Sequence, residues 1–367
     1  MLKSLKIKNF RCFEEFDLPQ LGRVNLLVGK NNSGKTSILE SLHILNSPDT
    51  VQPFFDIIES RGEYSLSTND DNSSVFEVIH FLHGHQIDSK SSLELRGVTD
   101  KDKKIDFSLS LTSTSIKELE IGAAINNKSF QDAYVSLSHS PEPNYVMEWK
   151  TIDGATKMWC FPLNVSSARM VVKILPGLKS SRFISVSSTD PYTIIENFNE
   201  IVLTPQEEVL YESLRSIEPG IERIATVATQ GYHRVTGNGG FVVSINKQRV
   251  PIGSMGYGIW RMLEITLAMI NIPGGTLLID EIDTGLHFSV MIDLWRLICK
   301  TAEKLDIQVF ATTHNSDCWK SLVEVANSDD IASDDITIHR IERGKKASVV
   351  FNEQEMAIAA ERDIEVR

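Results

Sequence analysis

The spacing of apolar residues along the chain predicts strands and helices that follow one another. Val24 to Val28 is a short, nearly continuous apolar run, which is typical of a strand buried on both faces. From Ser37 the period changes, and the apolar residues between Ile38 and Leu45 fall on one face of a helix. Two more apolar runs, which begin at positions 276 and 309, end in polar residues. We therefore expect an α/β fold.

The middle of the chain has a different pattern. Residues 47–74 are rich in Ser, Asp, Asn and Pro, which predicts an irregular or mobile connection. Strand-like segments follow, and Asp153-Gly154 is typical of a hairpin turn between two of them. These segments are Ser92 to Val98, Ile105 to Ile116, Tyr145 to Thr151 and Thr156 to Pro162. We interpret 47–181 as a β-rich insertion that separates two parts of one α/β domain, 1–46 and 182–367.

The ends of the α/β domain supply further elements. Leu5 and Ile7 alternate with lysines, which predicts a half-buried N-terminal strand. Three phenylalanines spaced by three, from Phe10 to Phe16, are expected to pack beneath a turn. Helical segments in 193–228 should break at the prolines at positions 205 and 219. The apolar pattern of residues 259–270 predicts an amphipathic helix.

Composition narrows the class of protein. The chain has 367 residues, with 41% hydrophobic residues that can supply a substantial core. No apolar run reaches about 18 residues, and the N-terminus lacks the apolar region of a signal peptide. The four cysteines are scattered without metal-ligand spacing, which favours free thiols in a reducing cytoplasm. The net charge of −12 weakens the case for a free-standing DNA-binding protein without excluding a local basic patch.

The strongest chemical signal follows the strand at Val24 to Val28. Gly29 to Thr36 matches G-x-x-x-x-G-K-[ST], a phosphate-binding loop between a strand and a helix. The glycines let backbone N–H groups wrap a polyphosphate, and the helix N-terminus adds partial positive charge. Lys35 would reach the β- and γ-phosphates, and the Thr36 hydroxyl would hold Mg²⁺. The alternative is an ordinary Gly/Asn turn. The expected nucleotide contacts are Gly29, Asn31, Asn32, Ser33, Gly34, Lys35, Thr36 and Ser37.

Acidic residues and a histidine complete the expected catalytic set. Asp280 and Glu281 end the apolar run at 276–279, so Asp280 would hold Mg²⁺ and Glu281 would polarise the attacking water. The alternative is an acidic strand end that faces solvent. His314 follows the run that begins at Val309, where it would contact a γ-phosphate. A lone histidine is often structural.

Weaker signals come from three other places. Ser254 and Gly256 lie in a glycine-rich turn that opens a helix, where an anion or simply a helix start would fit. Arg11 would face a nucleotide phosphate or remain a surface arginine. Three histidines at 80, 83 and 85 would bind a metal, but without cysteines or a clear acidic partner, ordinary polar positions are favoured.

Taken together, the order of these motifs resembles that of the ABC-type ATPase heads of the RecF, SMC and OLD (overcoming lysogenization defect) proteins. Ile7 to Phe13 resembles their opening strand and turn. Gly29 to Thr36 looks like Walker A, Leu277 to Glu281 like Walker B and Asp283 to His287 like the D-loop. Ser254-Met255-Gly256 looks like a divergent signature motif, and His314 like the switch histidine. The resemblance implies ATP and Mg²⁺ as ligands, and an ATP sandwich between two copies of the chain.

The subgroup that the chain resembles is the AAA-15/AAA-21-type ATPases related to OLD nucleases. OLD proteins carry a C-terminal TOPRIM nuclease domain, and the short stretch after the last strand-like segment is too small for one. The chain is therefore similar to stand-alone ATPase subunits of anti-phage systems such as PARIS. We expect a cytoplasmic nucleotide-gated regulator of a separate effector, for which a TOPRIM-type nuclease is the candidate. The alternatives are a RecF-like DNA-repair factor, and a scaffold that holds ATP and hardly turns it over.

Overall fold

A computed structural model describes most of the chain. The described residues are 1–48, 50–66, 74–86, 92–112, 144–150, 156–162, 181–186, 191–227, 240–328, 336–351, 355–356 and 358. Contacts divide the chain into two compact units. Unit 1 comprises Met1–Gln20, Thr36–Leu178 and Arg343–Ser348, and unit 2 comprises Leu21–Lys35, Lys179–Glu342 and Val349–Arg367. This division follows contacts rather than sequence order, and the boundaries expected after residues 46 and 181 remain a prediction.

The strands and helices are numbered in chain order. The strands are β1 Leu2–Phe10, β2 Phe13–Leu18, β3 Val24–Val28, β4 Tyr64–Leu66, β5 Ser74–Phe76, β6 Ser92–Thr99, β7 Lys104–Thr112, β8 Asn144–Lys150, β9 Thr156–Pro162, β10 Ser181–Ile184, β11 Ile221–Thr226, β12 Phe241–Ile245, β13 Gln248–Pro251, β14 Thr276–Ile279, β15 Gln308–Thr313, β16 Ile336–Arg340 and β17 Val349–Phe351. The α-helices are α1 Lys35–Leu45, α2 Gln52–Arg61, α3 Pro191–Ile201, α4 Gln206–Arg215, α5 Tyr257–Ile270, α6 Met291–Lys304 and α7 Ser316–Ala326. Short 3₁₀ turns cover Val78–Phe81, His83–His85, Ile252–Met255 and Phe288–Val290.

Unit 1 is built on an antiparallel sheet in the order β2-β1-β6-β7-β8-β9. Apolar residues on one face of its strands are buried, among them Leu95 and Phe107, which are cross-strand partners. Helix α1 packs here, because the Trp149 Nε1 group donates a hydrogen bond to the Ile44 carbonyl at 3.0 Å. The strands expected between 92 and 162 are thus confirmed, while Asp153-Gly154 lies outside the described residues.

Two sequence expectations for unit 1 are wrong. Residues 52–61 form helix α2 inside the stretch expected to be irregular, with Pro53 at its start and Phe54 and Ile58 among its buried residues. Apolar side chains spaced for one helical face outweigh the polar residues on either side. Phe13 and Phe16 lie in strand β2 rather than beneath a turn, and both are buried.

Unit 2 contains a mostly parallel sheet in the order β10-β14-β15-β3-β16-β17, in which only β17 is antiparallel to its neighbour. Every residue of β3, β14 and β15 is buried, as expected for parallel strands covered on both faces. Helices α6 and α7 connect successive strands of this sheet. The carboxyl ends of β14, β15 and β3 therefore lie side by side at one edge, where ligands bind in such sheets.

Helix α5 passes through the core of unit 2. Every residue from Ile259 to Ile270 is buried. The helix was expected to be amphipathic, but it is buried on all sides. It includes an internal ion pair between Arg261 and Glu264, at 2.8 Å. A three-stranded antiparallel sheet, β11-β12-β13, precedes it in the chain. In the part of the chain that the structure describes, no helix is both long and apolar enough to cross a membrane.

Candidate nucleotide site

The phosphate-binding loop adopts the strand, loop and helix order that its sequence predicts. Strand β3 ends at Val28 and helix α1 begins at Lys35. Between them the backbone takes positive φ angles at Gly29 (150°), Asn32 (59°) and Gly34 (101°). A Cβ atom at Gly29 would lie 2.4 Å from the Ile341 carbonyl oxygen. Only glycine fits this close approach, which shapes the start of the loop.

Lys35 lies over the loop that it terminates. Its Nζ atom donates hydrogen bonds to the carbonyls of Gly29 at 2.8 Å and Lys30 at 3.0 Å. Burial lowers the pKa of the Lys35 ammonium, and the negative charges of Asp280 and Glu281 partly oppose this effect. The two acidic residues therefore act on Lys35 electrostatically within unit 2.

The remaining predicted loop residues differ in exposure. Ser33 is buried, and its Oγ atom has no hydrogen-bond partner among the described residues. Asn31 and Asn32 are exposed, whereas Thr36 and Ser37 lie in the first turn of α1, half-buried and buried respectively. A buried hydroxyl beside glycines that admit close approach suits the oxygen atoms of a polyphosphate. The loop thus fits the ligand that its motif implies.

Asp280 and Glu281 follow strand β14 directly. Asp280 is buried, and its Oδ1 atom accepts a hydrogen bond from the Thr312 hydroxyl at 2.6 Å. Glu281 has a φ of 44°, a conformation that costs energy for a residue with a side chain and that concentrates at functional sites. This turn separates the two adjacent acids, leaving Asp280 buried and Glu281 partly exposed. Different environments suit different roles for two carboxylates.

His314 follows strand β15 and lies close to Glu281. Its Nδ1 atom is 3.8 Å from the Glu281 Oε1 atom, and both side chains are partly exposed. The structure thus brings together the histidine and the acid that the sequence analysis placed on different strands. No group of three or more Asp, Glu, His or Cys side chains in the described ranges is placed to hold a metal ion. Magnesium usually binds through one or two carboxylates and the phosphates of a substrate, which Asp280 suits.

Two threonines at the end of β15 were missed by the sequence analysis. The Thr312 hydroxyl donates to Asp280 and accepts from the Glu281 backbone N–H at 2.8 Å. The Thr313 hydroxyl donates to the Asp283 carboxylate at 2.6 Å. Both threonines are fully buried. The sequence shows two adjacent threonines at the end of the apolar run that begins at Val309, but their hydrogen-bond partners lie about 30 positions away in sequence.

Ser254 and Gly256 lie at exposed positions before helix α5. Gly256 caps this helix with a φ of 91°, and a Cβ atom there would meet nothing within 4 Å. The next residue, Tyr257, packs against Gly285 of the segment that resembles a D-loop, so closely that a Cβ atom at Gly285 would lie 2.4 Å from its ring. The exposed helix start and this segment thus form one continuous surface of unit 2.

Arg11 lies in unit 1, within a cluster of buried charges. Its guanidinium forms ion pairs with Glu40 and Glu63, donates to the His80 carbonyl and stacks over the Phe81 ring. Burial raises the pKa of the Glu40 carboxyl, an effect that the neighbouring arginines oppose. Packing alone accounts for Arg11 here, and its contact with a nucleotide remains a prediction.

Two family models match the chain. The AAA ATPase domain model AAA_15 matches residues 1–162, and the model AAA_21, described as "AAA domain, putative AbiEii toxin, Type IV TA system", matches residues 173–317. Both models describe AAA domains. The second match contains the segments around Ser254, Asp280 and His314.

Several curated proteins are similar to the chain. An ATP/GTP phosphatase of Helicobacter pylori is 22% identical over 90% of both chains. An OLD nuclease of Thermus scotoductus is 22% identical over 86% of this chain and 59% of the nuclease. The DNA replication and repair protein RecF of Clostridioides difficile is 53% identical over 45 residues, which are 12% of each chain. Among solved structures, an SMC head bound to the C-terminal winged-helix domain of ScpA has a TM-score of 0.49 and 12% identity, with 96% of this chain and 99% of that chain covered.

Proposed function

We propose that this chain, which is similar to the ABC-type ATPases of the OLD, RecF and SMC group, binds and hydrolyses ATP to regulate a separate effector protein. The observation that carries the proposal is the arrangement of Lys35, Asp280 and Glu281 at one edge of the parallel sheet. Asp280 and Glu281 follow β14, the loop that ends at Lys35 follows β3, and β15 lies between these two strands. There the cation that ends the phosphate-binding loop and the two acids influence each other's charge.

In this proposal each residue has a separate task. The loop from Gly29 to Gly34 binds phosphate oxygens through backbone N–H groups, and Lys35 adds a charge-assisted contact. The Thr36 hydroxyl and the Asp280 carboxylate would hold Mg²⁺, which when bound neutralises charge on the phosphates. Asn31, Asn32, Ser33 and Ser37 complete the expected nucleotide contacts.

Glu281 is the proposed base or orienter for the attacking water. Its turn at φ 44° holds it apart from Asp280, and the Thr312 hydroxyl fixes the backbone N–H of that turn. His314, 3.8 Å from Glu281, would contact the terminal phosphate and respond to its loss. Lys35 stabilises charge that develops on the phosphate during transfer.

A second copy of the chain is the proposed partner in ATP binding. Ser254 and Gly256 are exposed at the start of helix α5, where free backbone N–H groups suit an anion. We place this helix start against the terminal phosphate held by the loop of another copy. ATP would then join two chains head to tail, and hydrolysis would separate them.

The proposed effector is a separate protein of the TOPRIM nuclease type, and the proposed setting is cytoplasmic defence against phage. The support is the similarity to an OLD nuclease and the toxin named in the description of one matching family. Opening and closing of the ATP-bound pair would then release or restrain the effector.

Phage plating tests this regulatory role. The gene with its natural neighbours is introduced into a sensitive host, and plating efficiency is compared for the wild type, Lys35→Ala and Glu281→Gln. We expect the wild type to reduce plating and both variants to lose most of that reduction. Equal protection by the variants, with protein levels matched, would contradict nucleotide gating.

The RecF similarity favours a second candidate, a DNA-binding repair ATPase. Two facts weigh against this candidate. The match covers only 12% of each chain, and the chain carries a net charge of −12, which opposes binding to the DNA backbone. A DNA-binding protein should show affinity for DNA that falls steeply as salt rises. Fluorescence anisotropy with labelled duplex and single-stranded DNA, with and without ATP, separates the two candidates.

A further inference from the structure

Three histidines in unit 1 have no part in the nucleotide site. They lie in the two short 3₁₀ turns Val78–Phe81 and His83–His85. The structure brings two of them together, with the Nδ1 atoms of His80 and His85 only 3.2 Å apart. We call these two residues the histidine pair. His83 is separate, since its Nδ1 atom contacts the Arg11 carbonyl at 3.0 Å.

Glu77 determines which nitrogen of His80 carries a proton. The Glu77 Oε2 atom lies 2.8 Å from the His80 Nε2 atom. An ionised carboxylate can only accept a hydrogen bond, so a neutral His80 carries its proton on Nε2 and keeps the lone pair on Nδ1. Metal-bound histidines are commonly oriented in this way, by a carboxylate on the nitrogen that does not bind the metal. This is the acidic partner that the sequence alone did not reveal.

The backbone turns sharply to place His85 beside His80. Gly84 and His85 have φ angles of 74° and 55°. Glycine adopts such angles readily, but a histidine does so at a cost that local contacts must offset. The resulting ring arrangement is edge to face, with centroids 5.2 Å apart. His85 is exposed and His80 is partly exposed, so ions in solvent can reach the pair.

We propose that the histidine pair binds a divalent late transition-metal ion of the zinc type. Tetrahedral Zn²⁺ with bonds to nitrogen of about 2.0–2.1 Å places two ligand nitrogens about 3.3 Å apart. The observed separation of 3.2 Å matches this value. The two imidazole nitrogens supply two of the coordination positions of the ion. Imidazole ligands favour zinc, copper and nickel over magnesium, so this site is distinct from the proposed Mg²⁺ site.

Binding requires a single local change in the pair. In the metal-free protein, His85 donates from Nδ1 to the lone pair of His80. In the metal-bound protein, that proton moves to the His85 Nε2 atom through solvent, and both Nδ1 atoms face the ion. His80 needs no such change, because Glu77 already holds its Nε2 proton. The ion therefore replaces one hydrogen bond between the rings.

Titration calorimetry with ZnCl₂, on the full chain without ATP, tests the site. We expect the wild type to bind one Zn²⁺ at this site and His85→Ala to lose affinity on the order of tenfold or more. His85 is exposed, so this variant should fold normally. Glu77→Gln should weaken binding by about tenfold, because an amide can donate to His80 Nε2 and drive the proton to Nδ1. His83→Ala is the matched control and should retain wild-type affinity.

Thermal melting gives a second, independent measurement. Zn²⁺ should raise the melting temperature of the wild type and of His83→Ala, but not that of His85→Ala, because only a folded site binds the ion. MgCl₂ at the same concentration should not reproduce the difference. If the wild type fails to bind Zn²⁺, or if His85→Ala binds it as tightly, the pair is a hydrogen-bonded contact and the proposal is overturned.

Discussion

Lys35 shows how one side chain can be held ready for a phosphate. Its ammonium group lies on two carbonyls of its own loop, so the loop fixes its position before any ligand arrives. Burial lowers its pKa, and the nearby charges of Asp280 and Glu281 favour the charged form. A phosphate would add further negative charge and strengthen that preference.

Replacing Lys35 by alanine should therefore weaken ATP binding. The variant loses a charge-assisted contact worth on the order of 1.5–3 kcal/mol, which corresponds to more than about tenfold in affinity. Calorimetry with ATP and Mg²⁺ measures the change, and Lys150→Ala, at an exposed position of β8, is the control. Unchanged ATP affinity in Lys35→Ala would rule out this role.

Thr312 offers a test of how the acids are positioned. Thr312→Val keeps the shape but removes the hydroxyl that joins Asp280 to the Glu281 backbone. We expect kcat to fall by about tenfold or more with a smaller effect on KM, and Thr312→Ser to recover most of the activity. Thr266→Val is the matched control, since Thr266 is buried but its hydroxyl has no partner among the described residues. Equal kinetics in Thr312→Val and wild type would show that the hydroxyl is dispensable.

The sequence was informative about single residues where a short motif specifies them. The positions of Lys35 at the end of a loop and of Asp280 and Glu281 at the end of a strand could be predicted, because loops and strand ends depend on neighbours in the chain. The roles of these residues remain predictions. The contacts of Thr312 could not be predicted, because its partners lie at the end of another strand and depend on the order of strands in the sheet. Arg11 was expected to face either a nucleotide phosphate or solvent, and sequence spacing does not reveal the buried glutamates that surround it. Its contact with a nucleotide remains a prediction.

At the level of elements, strand β16 contains a buried titratable group. His339 has no exposed surface, and burial lowers its pKa from 6.5 to about 4. As pH falls through this window the unfolded chain takes up a proton that the folded chain resists. The unfolded state then binds more protons, so the free energy of unfolding decreases.

Urea denaturation at pH 7 and pH 5 measures this effect. His339 should account for about 2 kcal/mol of the stability lost between these pH values. His339→Gln has no titrating group at this position. The variant should therefore lose less stability than the wild type between pH 7 and pH 5, by that amount, whatever its stability at pH 7. His287→Gln, at an exposed position, should behave like wild type. An equal loss in His339→Gln would mean that His339 does not titrate in this window.

The elements themselves were predictable to different degrees. Strand β3 has the expected bounds, and β9 does too, because apolar runs and turns mark their ends. Helix α2 was missed because polar residues on both sides obscured its apolar face. Helix α5 was recognised, but its burial on all sides depends on the packing of unit 2 around it, which a periodic pattern cannot specify.

At the scale of the whole molecule, the proposed pairing predicts that two inactive variants restore activity together. Gly256→Trp should block the helix start of α5 while leaving the phosphate-binding loop intact, and Lys35→Ala should do the reverse. Each homodimer lacks both competent sites. In a mixed dimer, one site combines an intact Lys35 with an intact Gly256, provided that the motifs act across the pair. ATPase activity of the mixture should therefore exceed that of either variant alone.

Two controls make the mixing experiment decisive. Fluorescent labelling establishes that subunits exchange, and a dimer with one inactive site, prepared independently, establishes that one site can work alone. If both conditions hold and mixing recovers no activity, the head-to-tail arrangement is wrong.

The proposed hydrolysis of ATP depends on Glu281, which acts on the attacking water. The most direct measurement is phosphate release at saturating ATP and Mg²⁺ from wild type, Glu281→Gln and the exposed control Glu303→Gln, with ATP binding measured on the same samples. Glu281→Gln keeps the shape of the side chain and loses the base, so binding should persist while turnover falls by roughly 10²–10⁴-fold. Glu303→Gln should match the wild type. Near-normal phosphate release from Glu281→Gln would show that Glu281 is neither the base nor the orienter of the attacking water.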